Sequence, residues 1–590
     1  MRYRTIKKWQ NPEGAMQLLY FAQLIDELLF DFSLDTYKPS AMNSSLLCVE
    51  ALEVFKEVED GNIKRPNFQH VLDELCANLK KDSVAWSLLN IDRNSIFPLL
   101  LNPKVEFQVK KVAVELLARQ LELRLYTERN KQLLVDCVES EDGSANEIRS
   151  LTRSYVTCLI NLGCSTKFIH EEVLRFFYYG PGTISEKAQI RSFVEMFPSE
   201  DKKYVALYSA PEEITALSES LQKRNIKVVA DKAGLDPNLQ GGAFGLDKGC
   251  VYVVLEKIEA KDNYSAQSKV EKEIEIINTL HSLFHHKKPL PAPMRLLLIE
   301  QVTGSATNPK KLVNAMHKCS DLTPARAALK LNQLISEFSL ARKSFSKFVR
   351  SAELHSLALK SESIENQIIN LWIALESIIP TKPEEREISN IEHIINSITP
   401  FLSLGYVDRL MTRFAHDAIN WNRAAVRKAL KNIDAPSTAL KMAILMSQSP
   451  LGERADEFRS LFNNFHLLRD RFDYFRVLLS SPGKIHEALE AHNQRISWQI
   501  RRIYRARNLI VHSGKTPSYT EVLIENTHDY LDIVMGTLMK LAVRPKQISS
   551  IEQGFLHVEL TYHSLMQWLS AKGSEFTPSS LEKLLSKRII

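Results

Sequence analysis

Glycine is scarce in this chain, at 19 residues in 590, or about 3% against a usual level of about 7%. That disfavours a turn-rich all-β fold and favours long helices. Cysteine is sparse too: Cys48, Cys76, Cys137, Cys158, Cys164, Cys250 and Cys319 are an odd number with no C-x-x-C pair. Neither a disulfide framework nor a cysteine zinc site is readable, and a reducing cytosol is the expected compartment. No one sign of charge dominates. The 76 basic and 70 acidic residues leave a formal +6, too near balance to indicate nucleic-acid binding, so any basic footprint must be local. The segment Met1-Arg-Tyr-Arg-Thr-Ile-Lys-Lys-Trp9 lacks the apolar stretch of a signal peptide, and no run approaches the roughly 18 apolar residues of a membrane span. A cytoplasmic protein with no membrane partner is expected.

What the chain does contain is globular composition, 44% hydrophobic and 25% charged, in a length that suggests about three to four domains. A mainly α protein is expected. Helical spacing, as in Leu18, Leu19, Ala22, Leu24, Ile25, Leu28 and Leu29, predicts a helical N-terminal domain over 1–199. Cys164 and His170 there read as packing residues.

The period then changes. Strands are predicted at Lys203–Ser209, Ile226–Ala230, Cys250–Ile258 and Met294–Glu300, with helices at 211–224 and 264–285. That βαββαβ order predicts a small ferredoxin-like α/β middle domain over 200–302. Gly241-Gly-Ala-Phe-Gly245 has no following Gly-Lys-Ser/Thr, so it reads as a flexible loop and not a P-loop. Tyr252 lacks the paired aromatics of an RNA-binding sheet. His281 and His285 share a helical face without a third ligand nearby.

Residues 303–344 read as a linker and connecting helix, with breakers clustered at 303–312. Beyond it the chain is helical again, most clearly at 362–379, 484–513 and 518–542, punctuated by Pro380, Pro482, Pro517 and Pro545. A helical domain over 345–545 is followed by a helical tail, 546–590.

Chemistry concentrates in Gln494-Arg-Ile-Ser-Trp-Gln-Ile-Arg-Arg-Ile-Tyr-Arg-Ala-Arg-Asn-Leu-Ile-Val-His-Ser-Gly514. The apolar register Ile496, Ile500, Ile503 or Tyr504, then Val511, passes through position 507 and puts Arg507 on or beside the inward face. A charge there needs a partner, and Glu376, late in the 362–379 helix, is one candidate. His512 falls in the last turn, where the helix dipole favours its protonated form and titration near neutrality suits a general acid or base. Gly514 is the expected left-handed closing residue. Asn508 and Ser513 add hydrogen-bonding capacity, and Arg495, Arg501, Arg502 and Arg505 supply a local positive field of the kind that positions a phosphate backbone. Five residues turn about 140° on an ideal helix, so Arg507 and His512 converge only if the last turn unwinds or a second subunit contributes. His528, in Glu525-Asn-Thr-His528-Asp-Tyr-Leu-Asp532, reads as part of an acidic solvent face in preference to a metal site.

At Arg507-Asn508-Leu-Ile-Val-His512-Ser-Gly, preceded by Arg-Ile-Tyr-Arg-Ala, the sequence resembles the HEPN superfamily of ribonucleases and, within it, the ApeA-like branch of prokaryotic HEPN proteins. The helix Asn370-Leu-Trp-Ile-Ala-Leu-Glu376-Ser-Ile-Ile is similar to that family's first core helix, Glu included. The resemblance covers about 345–545, a third of the chain. It implies a helical bundle that pairs into a homodimer or higher even oligomer, with two R-x4-H elements lining one cleft. His512 would then assist deprotonation of an RNA 2′-hydroxyl, Arg507 would hold the scissile phosphate, and Asn508 would complete the catalytic set. Glu376 and Ser513 would support it, and the four other arginines would bind RNA. Internal attack implies an endoribonuclease with no cofactor or metal and a 2′,3′-cyclic phosphate product; DNA, lacking the nucleophile, is excluded. The family context further implies antiviral defence by abortive infection, with a toxin released by a phage-encoded trigger. The alternative is a non-catalytic HEPN scaffold or sensor that dimerises and binds a nucleotide, RNA or phage component.

Overall fold

The structure, a computed structural model, describes residues 3–30, 42–61, 66–286, 295–310, 312–318, 322–382, 388–543, 546–571, 573 and 575–585. Met294, Cys319 and Pro545, named above, lie outside them. The protein is mainly helical, and its described residues form one small antiparallel sheet of five strands. Among the described residues no helix is long and apolar enough to cross a membrane.

The sheet is built from β1 (Lys202–Pro211), β2 (Ile226–Val229), β3 (Cys250–Ala260), β4 (Leu296–Glu300) and β5 (Ala306–Thr307), in the spatial order β2-β3-β1-β4-β5. Short helical turns, Glu212–Leu217 and Ser218–Gln222, link β1 to β2, and the Asn263–Ser282 helix links β3 to β4. Alternation along β3 sends Val251, Val253 and Leu255 to the side covered by Val270, Ile274 and Ile277 of that helix, and Tyr252 and Val254 to the other. Asp262 caps the helix by accepting from the Tyr264 and Ser265 amides. Two sequence expectations change here. Residues 303–312 do not run entirely as linker, because β5 pairs along β4. Tyr252 is buried with its hydroxyl on the Phe244 carbonyl, so it is closed to base stacking.

The helices form two apolar cores, and their division differs from the expected boundaries. One core joins Phe21, Phe55, Tyr155, Phe177 and Phe193 to Phe414, Phe458, Phe472, Ile485 and Leu489, and to Leu581 and Leu584 near the end of the chain. The other gathers the helices Arg342–Lys360, Ile364–Ile378, Asn390–Leu404, Thr520–Ala542 and Ile551–Ser570 around Trp372, Phe401, Leu531 and Leu538. The apolar side chains of 406–489 therefore belong to the core of the N-terminal helices, and the expected tail contributes to both cores. Polar contacts fix this arrangement: the Gln23 side chain donates to the Asn464 carbonyl at 2.7 Å and accepts from the Leu467 amide at 3.0 Å. Arg471 lies 3.5 Å from both Glu27 and Asp417, all three buried. The connecting helix Pro324–Glu337 buries no side chain.

Candidate functional site

One 32-residue helix, Pro482–Ser513, carries every candidate residue except Glu376, which lies on Ile364–Ile378. Pro482 stands in its first turn, where a missing N–H costs nothing, and Gly514 ends it at φ 64, the left-handed backbone that glycine adopts without strain. The inward stripe is Ile485, Leu489, Ile496, Ile500, Ile503, Ala506 and Ile510. It runs through 506 and 510, so Val511 is exposed and Arg507 sits at the flank, half-buried. A second face is buried as well, which the single-stripe reading could not anticipate: Arg502 and Arg505, three apart and hence neighbours on the surface, turn towards the helices Ser44–Glu59 and Pro66–Leu79.

There the arginines meet carboxylates. Arg502 donates to Glu50 at 3.0 and 2.8 Å and to Glu74 at 2.6 Å, and Arg505 donates to Glu50 at 2.7 Å. All four side chains are buried. Burial works against the Glu50 carboxylate, but two guanidiniums outweigh it and hold its pKa down at about 2. Glu74 faces one guanidinium and the negative charge of Glu50, and burial keeps its pKa above the ordinary carboxylate range. Arg501 pairs with Glu392 on the Asn390–Leu404 helix. Arg501, Arg502 and Arg505 are thus committed to internal ion pairs, and the expected field of four RNA-facing arginines reduces to Arg495, which is exposed.

Arg507 differs from these three. Its Nη1 donates to the Asn508 side chain at 2.9 Å, and its Nε is buried with no hydrogen-bond partner among the described residues. The expected partner Glu376 is exposed and makes no ion pair with it; the carboxylate sits one residue off the inward positions Leu375 and Ile378 and points to solvent. His512 and Ser513 are exposed in the last turn, and the Ser513 hydroxyl is spent on the Leu509 carbonyl at 2.7 Å. The helix stays α-helical through Ser513, so Arg507 and His512 remain about 140° apart around its axis.

No family model, curated protein or solved structure matches the chain.

Other candidates resolve as follows. His170 is buried with its Nε2 2.8 Å from Asp26, a packing role. His281 and His285 stack their rings, centroids 4.2 Å apart, and among the described residues no third ligand joins them. His528 is buried, contrary to the solvent-face expectation, and lies with His355 and Asp532 in one cluster. Burial pushes the His355 imidazole pKa down and the Asp532 carboxyl up. Sequence reasoning missed Glu50 and Glu74. The signal was present, because both sit within apolar stripes, Leu47/Glu50/Ala51/Val54 and Val71/Glu74/Leu75, where a charge demands a buried partner.

Proposed function

We propose that this protein is a metal-independent HEPN endoribonuclease acting as an antiphage abortive-infection effector in the cytoplasm. The observation that carries the reading is a contrast on one helix. Arg501, Arg502 and Arg505 are neutralised by glutamates, whereas among the described residues Arg507 hydrogen-bonds only to Asn508 and keeps its charge for a ligand, about 1.4 turns from an exposed histidine at a left-handed glycine stop. A scissile phosphate matches that charge, and an imidazole at a helix end matches proton transfer from a 2′-hydroxyl. Because the last turn does not unwind, the 140° separation supports a cleft completed by the Arg507 or His512 of a second copy, and hence a homodimer or larger even oligomer. In that arrangement Arg507 and His512 act on the substrate, Asn508 orients the guanidinium, and Arg495 offers a backbone contact. We read residues 200–302 as a ferredoxin-like βαββαβ domain, which the strand order β2-β3-β1-β4 supports, and as a surface for a phage-encoded trigger.

The deciding experiment is expression of wild type beside His512→Ala, with cellular RNA integrity and growth as readouts. RNA breakdown that requires His512 supports the reading. Equal, intact RNA in both strains overturns it. The scaffold or sensor reading draws on the burial of three arginines, which withdraws them from the surface beside the motif; it expects RNA to bind or a partner to assemble with no dependence of cleavage on His512.

A further inference from the structure

His355 lies on the Arg342–Lys360 helix, and His528 and Asp532, four residues apart, lie on Thr520–Ala542. Their ligand atoms fall within 4.8 Å of one another, and among the described residues they form the one His/Cys/Asp/Glu trio so arranged. His355 Nε2 is 3.7 Å from Asp532 Oδ1, and His528 Nε2 is 3.5 Å from Asp532 Oδ2. These separations are too long for good hydrogen bonds. They are close to the roughly 3.4 Å between two ligands of a tetrahedral ion whose bonds are about 2.1 Å long. Among the described residues His355 Nε2 is buried and without a hydrogen-bond partner, a costly state for a ring nitrogen unless something sits before it. The imidazole rings are 4.9 Å apart and tilted by 37°, so they do not stack face to face.

We propose that His355, His528 and Asp532 bind a divalent first-row transition ion, zinc foremost. Two imidazoles and one carboxylate suit zinc and disfavour magnesium or calcium, which take oxygen ligands. The Asp532 side chain is 53% exposed, so a fourth position opens to water. The ion pins the helix that follows the Arg507–His512 turn to the Arg342–Lys360 helix far earlier in the chain; it is a structural clamp and takes no part in phosphate chemistry. The site stands on its own geometry and does not depend on the nuclease reading.

The test uses untagged full-length protein stripped with chelator and titrated with Zn²⁺ alone, following stoichiometry by calorimetry and the thermal midpoint in parallel. Wild type should take up one equivalent per chain and gain thermal stability. Asp532→Ala and His355→Ala should each weaken uptake at least tenfold while keeping apo midpoints within a few degrees of apo wild type. Asp532→Ala is the primary probe because its side chain is half-exposed, whereas His528 is buried and its loss could unfold the bundle. No uptake by wild type overturns the proposal. So does uptake that survives both substitutions, since the chain holds 16 histidines that could bind the ion elsewhere.

Discussion

Arg502 and Glu50 stand 452 positions apart in the chain and are joined by hydrogen bonds at 3.0 and 2.8 Å, with both groups buried. The helix that carries the Arg507–His512 element is therefore held by the N-terminal helices five residues before the motif begins. Any movement of Ser44–Glu59 reaches that helix through a desolvated ion pair.

Glu50→Gln should destabilise the protein by about 3 kcal/mol, because Arg502 and Arg505 lose a shared charge that only Glu74 remains to offset. Urea unfolding at neutral pH measures this as a lower midpoint. A change below about 0.5 kcal/mol would mean that the cluster is open to water.

Arg507→Ala and His512→Ala should each lower RNA cleavage by at least 100-fold while leaving circular dichroism and solubility intact. His512 is exposed, and Arg507 does not pair with Glu376, so neither substitution strands a carboxylate. Wild-type cleavage by both folded variants would displace the site from this helix.

Product chemistry gives an independent check. With the 2′-hydroxyl as nucleophile, RNA fragments should end in 2′,3′-cyclic phosphate, and a single 2′-deoxy substitution at the cleaved position should abolish scission there. Fragments ending in a 3′-hydroxyl would point to an external water nucleophile.

Two histidines should contribute strongly to acid sensitivity. Burial, with Arg495 and Arg409 nearby, pushes the pKa of His492 down to about 3 against the Tyr406 ring, and burial with Arg469 pushes His466 down to about 4. The unfolded chain takes up protons near pH 6.5 that the folded chain refuses. Stability is thus complete above pH 6.5 and declines as pH falls towards 4 and 3, by on the order of 2 kcal/mol for each histidine once screening is allowed for. His492→Phe should flatten the unfolding free energy between pH 6.5 and 4; an unchanged slope would assign the loss to other groups.

Much of the secondary structure was legible because local period reports local geometry. Helix spacing, the apolar run of β3 and the glycine after His512 each mark an element without knowledge of its neighbours. The partners of those elements were not legible. Tyr406–Ala429 and His466–Leu478 look like a continuation of the 345–404 helices, and nothing in their spacing says that they bury Phe414 and Phe472 against the N-terminal core. The same gap explains the arginines: Arg501, Arg502 and Arg505 read as a solvated basic face until a second packing surface neutralises them. The register at 507 was off by one position because Val511 was taken as the end of the stripe in place of Ile510.

The interleaving of the two cores bears on how the chain is made. A ribosome that has released residues 1–400 has exposed most of one apolar surface whose complement, 406–489 and the last helices, is not yet synthesised. Contacts of this sequence separation form late and slowly. The helix bearing Arg507 and His512 can settle only after both surfaces close, so a chain that stops short, or a fragment begun at residue 345, carries the motif without the walls that seat it. Such products should aggregate and be cleared, and a cell making this protein would meet the finished site only on finished molecules.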